Sequence, residues 1–107
     1  MTQLTKDKCV PCEGGIPPMS ADRVAELLPE VPGWKAVDDR RLVKAWKFDD
    51  FASALVMVNA VGALAEAEGH HPDIRFGWGY VEISLMTHAV NGLSRNDFIL
   101  AAKIDAL

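Results

Sequence analysis

The sequence predicts an α+β domain in which a four-stranded antiparallel sheet carries three helices on one face, in the order α-β-β-α-β-β-α. Residues 42–48 and residues 80–88 alternate between two kinds of side chain with the period of two that strands show. Other stretches place apolar residues three or four apart, which is the helical period. Because short turns join consecutive strands, an antiparallel sheet with helices on one face is favoured.

The first half of the chain predicts a helix and then a hairpin. Ser20 is a good N-cap, and the apolar residues after it repeat at helical spacing until Pro29. Residues 34–37 and residues 42–48 then form two strands around a polar turn. A short helix followed by a β-hairpin is therefore expected.

The second helix should begin at Asp49 or Asp50, either of which can cap it. Gly69 is its natural end, because glycine takes the left-handed conformation without strain. Pro72 makes continuation of the helix unfavourable and holds the residues before it in a turn. A short strand around residues 74–78 should follow.

The last part of the chain predicts a strand, a turn and a helix. Residues 80–88 place one set of side chains on a core face and the other set, which includes His88, on a polar face. The Asn91-Gly92 pair should turn the chain. Ser94 and Asp97 then have the spacing of an N-cap and its acidic partner, and they introduce the final helix.

The bulk numbers favour one cytoplasmic domain over residues 1–107. A chain of this length would divide into two cores too small to exclude much water. The net charge of −4 argues against a nucleic-acid partner, because such binding depends on clustered Lys and Arg. The longest apolar stretch, residues 52–65, is shorter than the roughly 20 residues of a membrane-spanning helix. We therefore expect neither a nucleic-acid nor a membrane partner.

Residues 1–19 are expected to form an extended arm on this domain. Cys9 and Cys12 are its two cysteines, and no others occur in the chain. A zinc or iron–sulfur site would need two further ligands, and a redox pair should follow a strand and open a helix. We expect reduced thiols in the arm, with a metal or redox role as the alternative.

The chain's three histidines, His70, His71 and His88, lie close together in the predicted fold. Imidazoles titrate near neutral pH, so such a group suits general acid–base chemistry. Glu66 and Glu68 strengthen this interpretation, because the C-terminal turn of a helix disfavours carboxylates. Solvated surface histidines and a metal site are the alternatives, although adjacent histidines after a helix end are poorly spaced to hold one ion. No metal is expected.

The spacing of five features resembles the pattern of the pterin-4a-carbinolamine dehydratase family. The matching residues are Glu66, His70-His71-Pro72, Trp78, His88 and Asp97. An aromatic residue occupies the Trp78 position in that family, and the match has no departure over these 32 residues. The arm, with its Cys-Val-Pro-Cys-Glu-Gly-Gly stretch, is similar to bacterial members.

The resemblance implies a hydro-lyase that eliminates water from 4a-hydroxytetrahydropterin to give quinonoid dihydropterin during pterin cofactor recycling. It also implies no cofactor, a homo-oligomer that is a dimer or a tetramer, and functional coupling to an aromatic amino acid hydroxylase. A non-catalytic pterin-binding or oligomerisation module is the alternative. The expected catalytic residues are His70, His71 and His88, and the expected substrate-binding residues are Glu66, Gly69, Trp78, Met86 and Thr87. Within this scheme Glu66 either orients a histidine or binds the pterin, and Trp78 either lines the pocket or covers the core.

Overall fold

The computed structural model describes residues 4–11 and 16–107, and within them the predicted order of helices and strands is confirmed. Short 3-10 turns add to these elements at residues 4–6, 28–30 and 88–90. The elements are α1 (Ala21–Leu27), β1 (Lys35–Val37), β2 (Arg41–Lys47), α2 (Phe51–Glu68), β3 (Asp73–Gly77), β4 (Tyr80–Leu85) and α3 (Arg95–Asp105).

The four strands form one antiparallel sheet in the order β1-β2-β4-β3, as the predicted α+β class requires. The central pair is β2 with β4, in which Leu42 lies opposite Leu85. Val81, Ile83 and Leu85 alternate along β4 and are fully buried. They pack in one core with residues of α2 and α3, so the sheet and the helices share a single apolar interior.

Side-chain caps begin the three helices at predicted residues, and a left-handed glycine ends α2. Ser20 accepts a hydrogen bond from a backbone N–H in the first turn of α1, and Asp50 does the same for α2. Gly69 ends α2 in the left-handed conformation, at a φ of 67°. Ser94 and Asp97 form the expected capping box of α3. These local signals explain why the helix bounds could be predicted closely.

The predicted strand over residues 80–88 is wrong at its C-terminal end. β4 stops at Leu85, and His88 lies in a 3-10 turn. Thr87 and Gly92 cause the break, because each accepts a hydrogen bond from the backbone N–H of the other and closes a tight loop. Asn91 completes that loop at a φ of 54°, as its predicted turn role requires. His88 is therefore presented by a turn and not by the polar face of the sheet.

Helix α2 has the predicted bounds, extends beyond the apolar stretch of residues 52–65 at both ends, and is largely exposed. It has 18 residues with a mean hydropathy of 1.3, and 17% of them are buried. By length and composition it could cross a membrane, although core helices of soluble proteins meet the same criterion. Ala54, Val61 and Ala65 face the sheet, while Leu55 and Val56 are exposed. The helix thus has one packed side and one open apolar side.

Candidate active site

A cavity of about 280 Å³ lies where the end of α2, the loop after β4, the first turn of α3 and the N-terminal arm meet. All three histidines line it. A larger cavity of about 560 Å³ lies elsewhere between α2, β2 and the end of α3, and its lining holds no histidine. The lining residues of the histidine cavity are Val10, Pro11, Gly69, His70, His71, Met86, Thr87, His88, Ala89 and Asn96.

The turn after α2 directs the two adjacent histidines away from the helix axis. Gly69 has a positive φ, and the backbone N–H of His70 still donates to the carbonyl of Ala65, which closes the helix end. β3 begins two residues after His71. The two imidazoles therefore occupy a short turn fixed at both ends by regular structure.

Asp97 is the residue that fixes His70. Its carboxylate is fully buried, and Oδ1 lies 2.7 Å from the Nε2 of His70. Oδ2 accepts from the hydroxyl of Thr87 at 2.8 Å and from the backbone N–H of Ser94 at 3.0 Å. An ionised carboxylate can only accept, so in that state Nε2–H of His70 donates to Asp97. Nδ1 is then the atom through which His70 can exchange a proton.

The other two histidines are more open to solvent. His71 Nε2 contacts Glu66 Oε2, and both side chains are largely exposed. His88 is exposed in the turn that follows β4. The site therefore combines one rigidly held imidazole with two accessible ones, which suits the binding and release of a small substrate. Among residues 4–11 and 16–107, no three His, Cys, Asp or Glu side chains are grouped as metal ligands.

The cavity brings together most of the residues predicted from the sequence. His70, His71, His88, Gly69, Met86 and Thr87 line it. Glu66 does not line the cavity, but it contacts His71.

Trp78 lies apart from the other predicted site residues. It is 72% exposed in the turn between β3 and β4, so within this chain it neither lines the cavity nor covers the core. β3 runs from the histidine turn to this tip, and five strand residues span roughly 17 Å. The geometry of one chain therefore gives no support to a substrate contact by Trp78.

Four residues that line the cavity could not be predicted from the sequence, and one of them is Ala89 of the turn after β4. Val10 and Pro11 come from the arm, and Asn96 comes from the first turn of α3. None of them has a periodic or motif signal. The role of Asp97 was found only in part, because its spacing from Ser94 predicted the helix cap but not the contact with His70.

A second buried carboxylate lies behind the site. Glu68 accepts hydrogen bonds from Lys103 Nζ at 2.8 Å and from the backbone N–H of Cys9 at 2.9 Å. These bonds, with Lys103 the larger cause, lower the pKa of Glu68 to about 2. Burial, reinforced by the negative charge of Glu68, raises the pKa of the Cys9 thiol to about 12. Cys9 is therefore a protonated thiol and no nucleophile, while Cys12 lies outside the described residues.

The family model described as pterin 4 alpha carbinolamine dehydratase matches residues 17–107. The chain belongs to this family of hydro-lyases. A relative from Rubrobacter xylanophilus, provisionally named pterin-4-alpha-carbinolamine dehydratase, is 47% identical over the full length of both chains.

Two solved structures share the fold. A transcriptional coactivator/pterin dehydratase from Brucella melitensis superposes with a TM-score of 0.77 and 30% identity, covering 83% of this chain and 96% of that one. A pterin dehydratase-like protein identified as a RuBisCO assembly factor in the alpha-carboxysome has a TM-score of 0.59 and 30% identity, covering 69% of this chain and 87% of that one. The fold therefore occurs both in a named dehydratase and in an assembly factor.

Proposed function

We propose that this protein dehydrates 4a-hydroxytetrahydropterin by histidine general acid–base catalysis. The observation that carries the proposal is the cavity in which His70, held by the buried Asp97, lies with His71 and His88. The family and its relatives supply the reaction class. Three imidazoles in one small cavity supply groups that can donate and accept protons near neutral pH.

The reaction requires one acid and one base. The bond between carbon 4a and its hydroxyl oxygen breaks, and a protonated imidazole donates a proton so that water leaves. A neutral imidazole accepts the proton of nitrogen 5, and the electron pair of that N–H bond forms the C4a=N5 double bond of quinonoid dihydropterin. Each proton transfer typically contributes about a hundredfold or more in rate. The histidines alone can thus complete the step, without an oxidant or reductant.

Substrate binding is assigned to the remaining predicted residues of the cavity. Gly69, Met86 and Thr87 line it, and Glu66 orients His71 through their contact. At about 280 Å³ the cavity is at the small end of ligand pockets, which suits one bicyclic pterin ring. The substrate is expected to come from an aromatic amino acid hydroxylase in the cytoplasm, so the enzyme serves pterin recycling.

The test is a direct assay of dehydration. Purified protein is mixed with freshly generated 4a-hydroxytetrahydropterin, and the reaction is followed by ultraviolet absorbance. We expect acceleration over buffer, a loss of at least tenfold in kcat in His71→Ala and His88→Ala, and normal kcat in Arg23→Ala, which changes an exposed residue of α1. No acceleration by the unmodified protein, or unchanged rates in both histidine variants, would refute the enzyme proposal.

A non-catalytic pterin-binding or oligomerisation role is the second candidate. It is favoured by the similarity to the RuBisCO assembly factor, which is described as a pterin dehydratase-like protein. The same assay distinguishes the two roles. Tight binding of a pterin product without turnover would support the binding module.

We also propose that the protein is a homo-oligomer, a dimer or a tetramer, in which a second copy covers the open side of α2. Leu55 and Val56 are 37% and 69% exposed there. Isolated apolar residues are ordinary on a surface, but a helix this apolar along its length is typical of an interface. Light scattering after size-exclusion chromatography should show an oligomer, and Val56→Glu should weaken it while Arg23→Glu does not. A monomer at micromolar concentration would refute this part.

A further inference from the structure

The arm supplies one wall of the histidine cavity. We refer to residues 8–11 as the strap. Its Val10 and Pro11 line the cavity, and Val10 is 63% exposed. A valine that is open to solvent beside three histidines has apolar surface that a bound ring could cover. The strap therefore provides an apolar surface in a cavity whose other named groups are largely polar.

Asn96 holds the strap in place through its side-chain amide. Its Oδ1 accepts from the backbone N–H of Val10 at 3.0 Å, and its Nδ2 donates to the carbonyl of Val10 at 2.6 Å. The amide thus satisfies both backbone groups of one residue, as a neighbouring strand would. Asn96 is itself 5% exposed, so this amide is held by its surroundings. The position of Val10 is therefore set by the first turn of α3.

The N-terminal end of α3 and the C-terminal end of α2 hold both the strap and His70. Asn96 precedes Asp97, which contacts His70. At the C-terminal end of α2, Glu68 lies two residues before His70 and accepts a hydrogen bond from the backbone N–H of Cys9. A shift of either helix end would move the wall and the imidazole together. The strap therefore keeps a fixed position relative to the His70 imidazole.

We propose that Asn96 is a positioning residue that sets the Val10 wall against the face of the bound pterin ring. This inference rests on the proposed function and specifies how the same site recognises its substrate. The isopropyl group covers one face of the bound pterin ring system and excludes water from it, while the histidines act at the edge that carries carbon 4a and nitrogen 5. Asn96 also lines the cavity, but its effect on pterin binding passes through Val10, and it takes no part in proton transfer.

The effect should appear in KM and not in kcat. Losing the two terminal carbons of Val10 should raise KM about tenfold. Asn96→Ala removes both hydrogen bonds that position Val10 and so weakens the same contact, while Glu68 still holds Cys9. It should therefore also raise KM about tenfold. The histidines remain in place, so kcat should change less than twofold. Because both substitutions remove one interaction, the double variant should show about tenfold and not the hundredfold of independent effects.

The experiment compares Val10→Ala, Asn96→Ala and the double variant in full-length protein. Each is measured for KM and kcat in the dehydration assay and for the Kd of biopterin by pterin fluorescence. Arg95→Ala is the matched control, because Arg95 lies in the same helical turn and pairs with Asp7 upstream of the strap. Its KM and Kd should stay within about twofold of the unmodified values. Thermal unfolding confirms that each variant is folded at the assay temperature.

Four results would overturn the inference. Unchanged KM and Kd in Val10→Ala would show that the strap is not a pterin wall, even if Asn96→Ala failed to fold. Additive effects in the double variant, or an equal effect of Arg95→Ala, would show that Asn96 does not act through Val10. Biopterin binding separates this inference from the proposed reaction: if the protein binds biopterin without catalysing dehydration, the Kd series still decides the role of the strap. A protein that binds no pterin would refute both.

Discussion

Replacing Glu68 by glutamine should lower the free energy of unfolding by about 2 to 3 kcal/mol at pH 6 and by almost nothing at pH 2. The carboxylate has little exposure, and it joins three segments of the chain: the end of α2, Lys103 of α3 and the backbone of Cys9. Glutamine has nearly the same shape and keeps one acceptor oxygen. The substitution therefore removes mainly the negative charge.

The magnitude follows from the pKa of Glu68. The hydrogen bond from Lys103 is the first cause that lowers this pKa, from 4.5 to about 2. At 1.36 kcal/mol per pH unit, the difference corresponds to about 3 kcal/mol. A carboxyl group whose pKa is depressed in the folded state stabilises the protein fully above its unfolded pKa. This stabilisation is lost as pH falls from about 4.5 through about 2, because the unfolded chain then binds the proton more strongly.

Urea denaturation at several pH values between 2 and 6, at one protein concentration, measures this difference. The curves for the unmodified protein and Glu68→Gln should converge as pH falls. Glu26→Gln is the control, because Glu26 pairs with Arg23 at the exposed surface and its replacement should leave the free energy of unfolding nearly unchanged at every pH. The reasoning would be refuted if the difference in free energy of unfolding between Glu68→Gln and the unmodified protein stayed constant over this pH range.

Three further substitutions test the site and its loops. Asp97→Asn should lower kcat about tenfold to a hundredfold and destabilise the fold by about 1 to 2 kcal/mol, because the charge-assisted hydrogen bonds of the carboxylate are lost. Stopped-flow dehydration measures the first effect and urea unfolding the second. Neither Gly62 nor Gly69 has a neighbouring atom within 4 Å of an added methyl group, so their substitutions differ only in the backbone conformation. Gly69→Ala should destabilise the protein by about 1 kcal/mol because its φ is positive, whereas Gly62→Ala inside α2 should stabilise it by about 0.5 to 1 kcal/mol. Equal signs in thermal unfolding would contradict this pair. Gly92→Ala should destabilise by about 1 to 3 kcal/mol, because its Cβ would lie 2.6 Å from Pro18 Cβ, and an unchanged melting temperature would disprove the clash.

Local chemistry explains which parts of the fold could be predicted. The caps Ser20, Asp50 and Gly69 act within three or four residues of themselves, so their effect is visible in the sequence. The alternation along β4 is equally local, because every second side chain faces the core. The position of His70 and His71 just beyond α2 could be predicted for the same reason, because Gly69 marks the end of that helix.

The parts that could not be predicted depend on contacts between distant segments. The Val10 backbone meets the Asn96 side chain across 86 residues, and neither residue has a pattern that announces the other. The end of β4 was misplaced because the Thr87 and Gly92 bridge, and not a change in polarity, stops the strand. Trp78 matched the family spacing, yet spacing along the chain does not predict which way a side chain points, and Trp78 points into solvent. Long-range hydrogen bonds and loop closure were therefore the missing information.

The capping box of α3 has a consequence for how activity fails on heating. Asp97 completes the first turn of that helix and also holds His70, so one carboxylate serves a backbone and a side chain at the same time. First turns open more readily than helix interiors. Each brief fraying of α3 would release the imidazole, and inactivation should begin several degrees below the global melting transition. Hydrogen exchange at the amide of Asp97 would then report the fraction of molecules competent for the reaction at any instant.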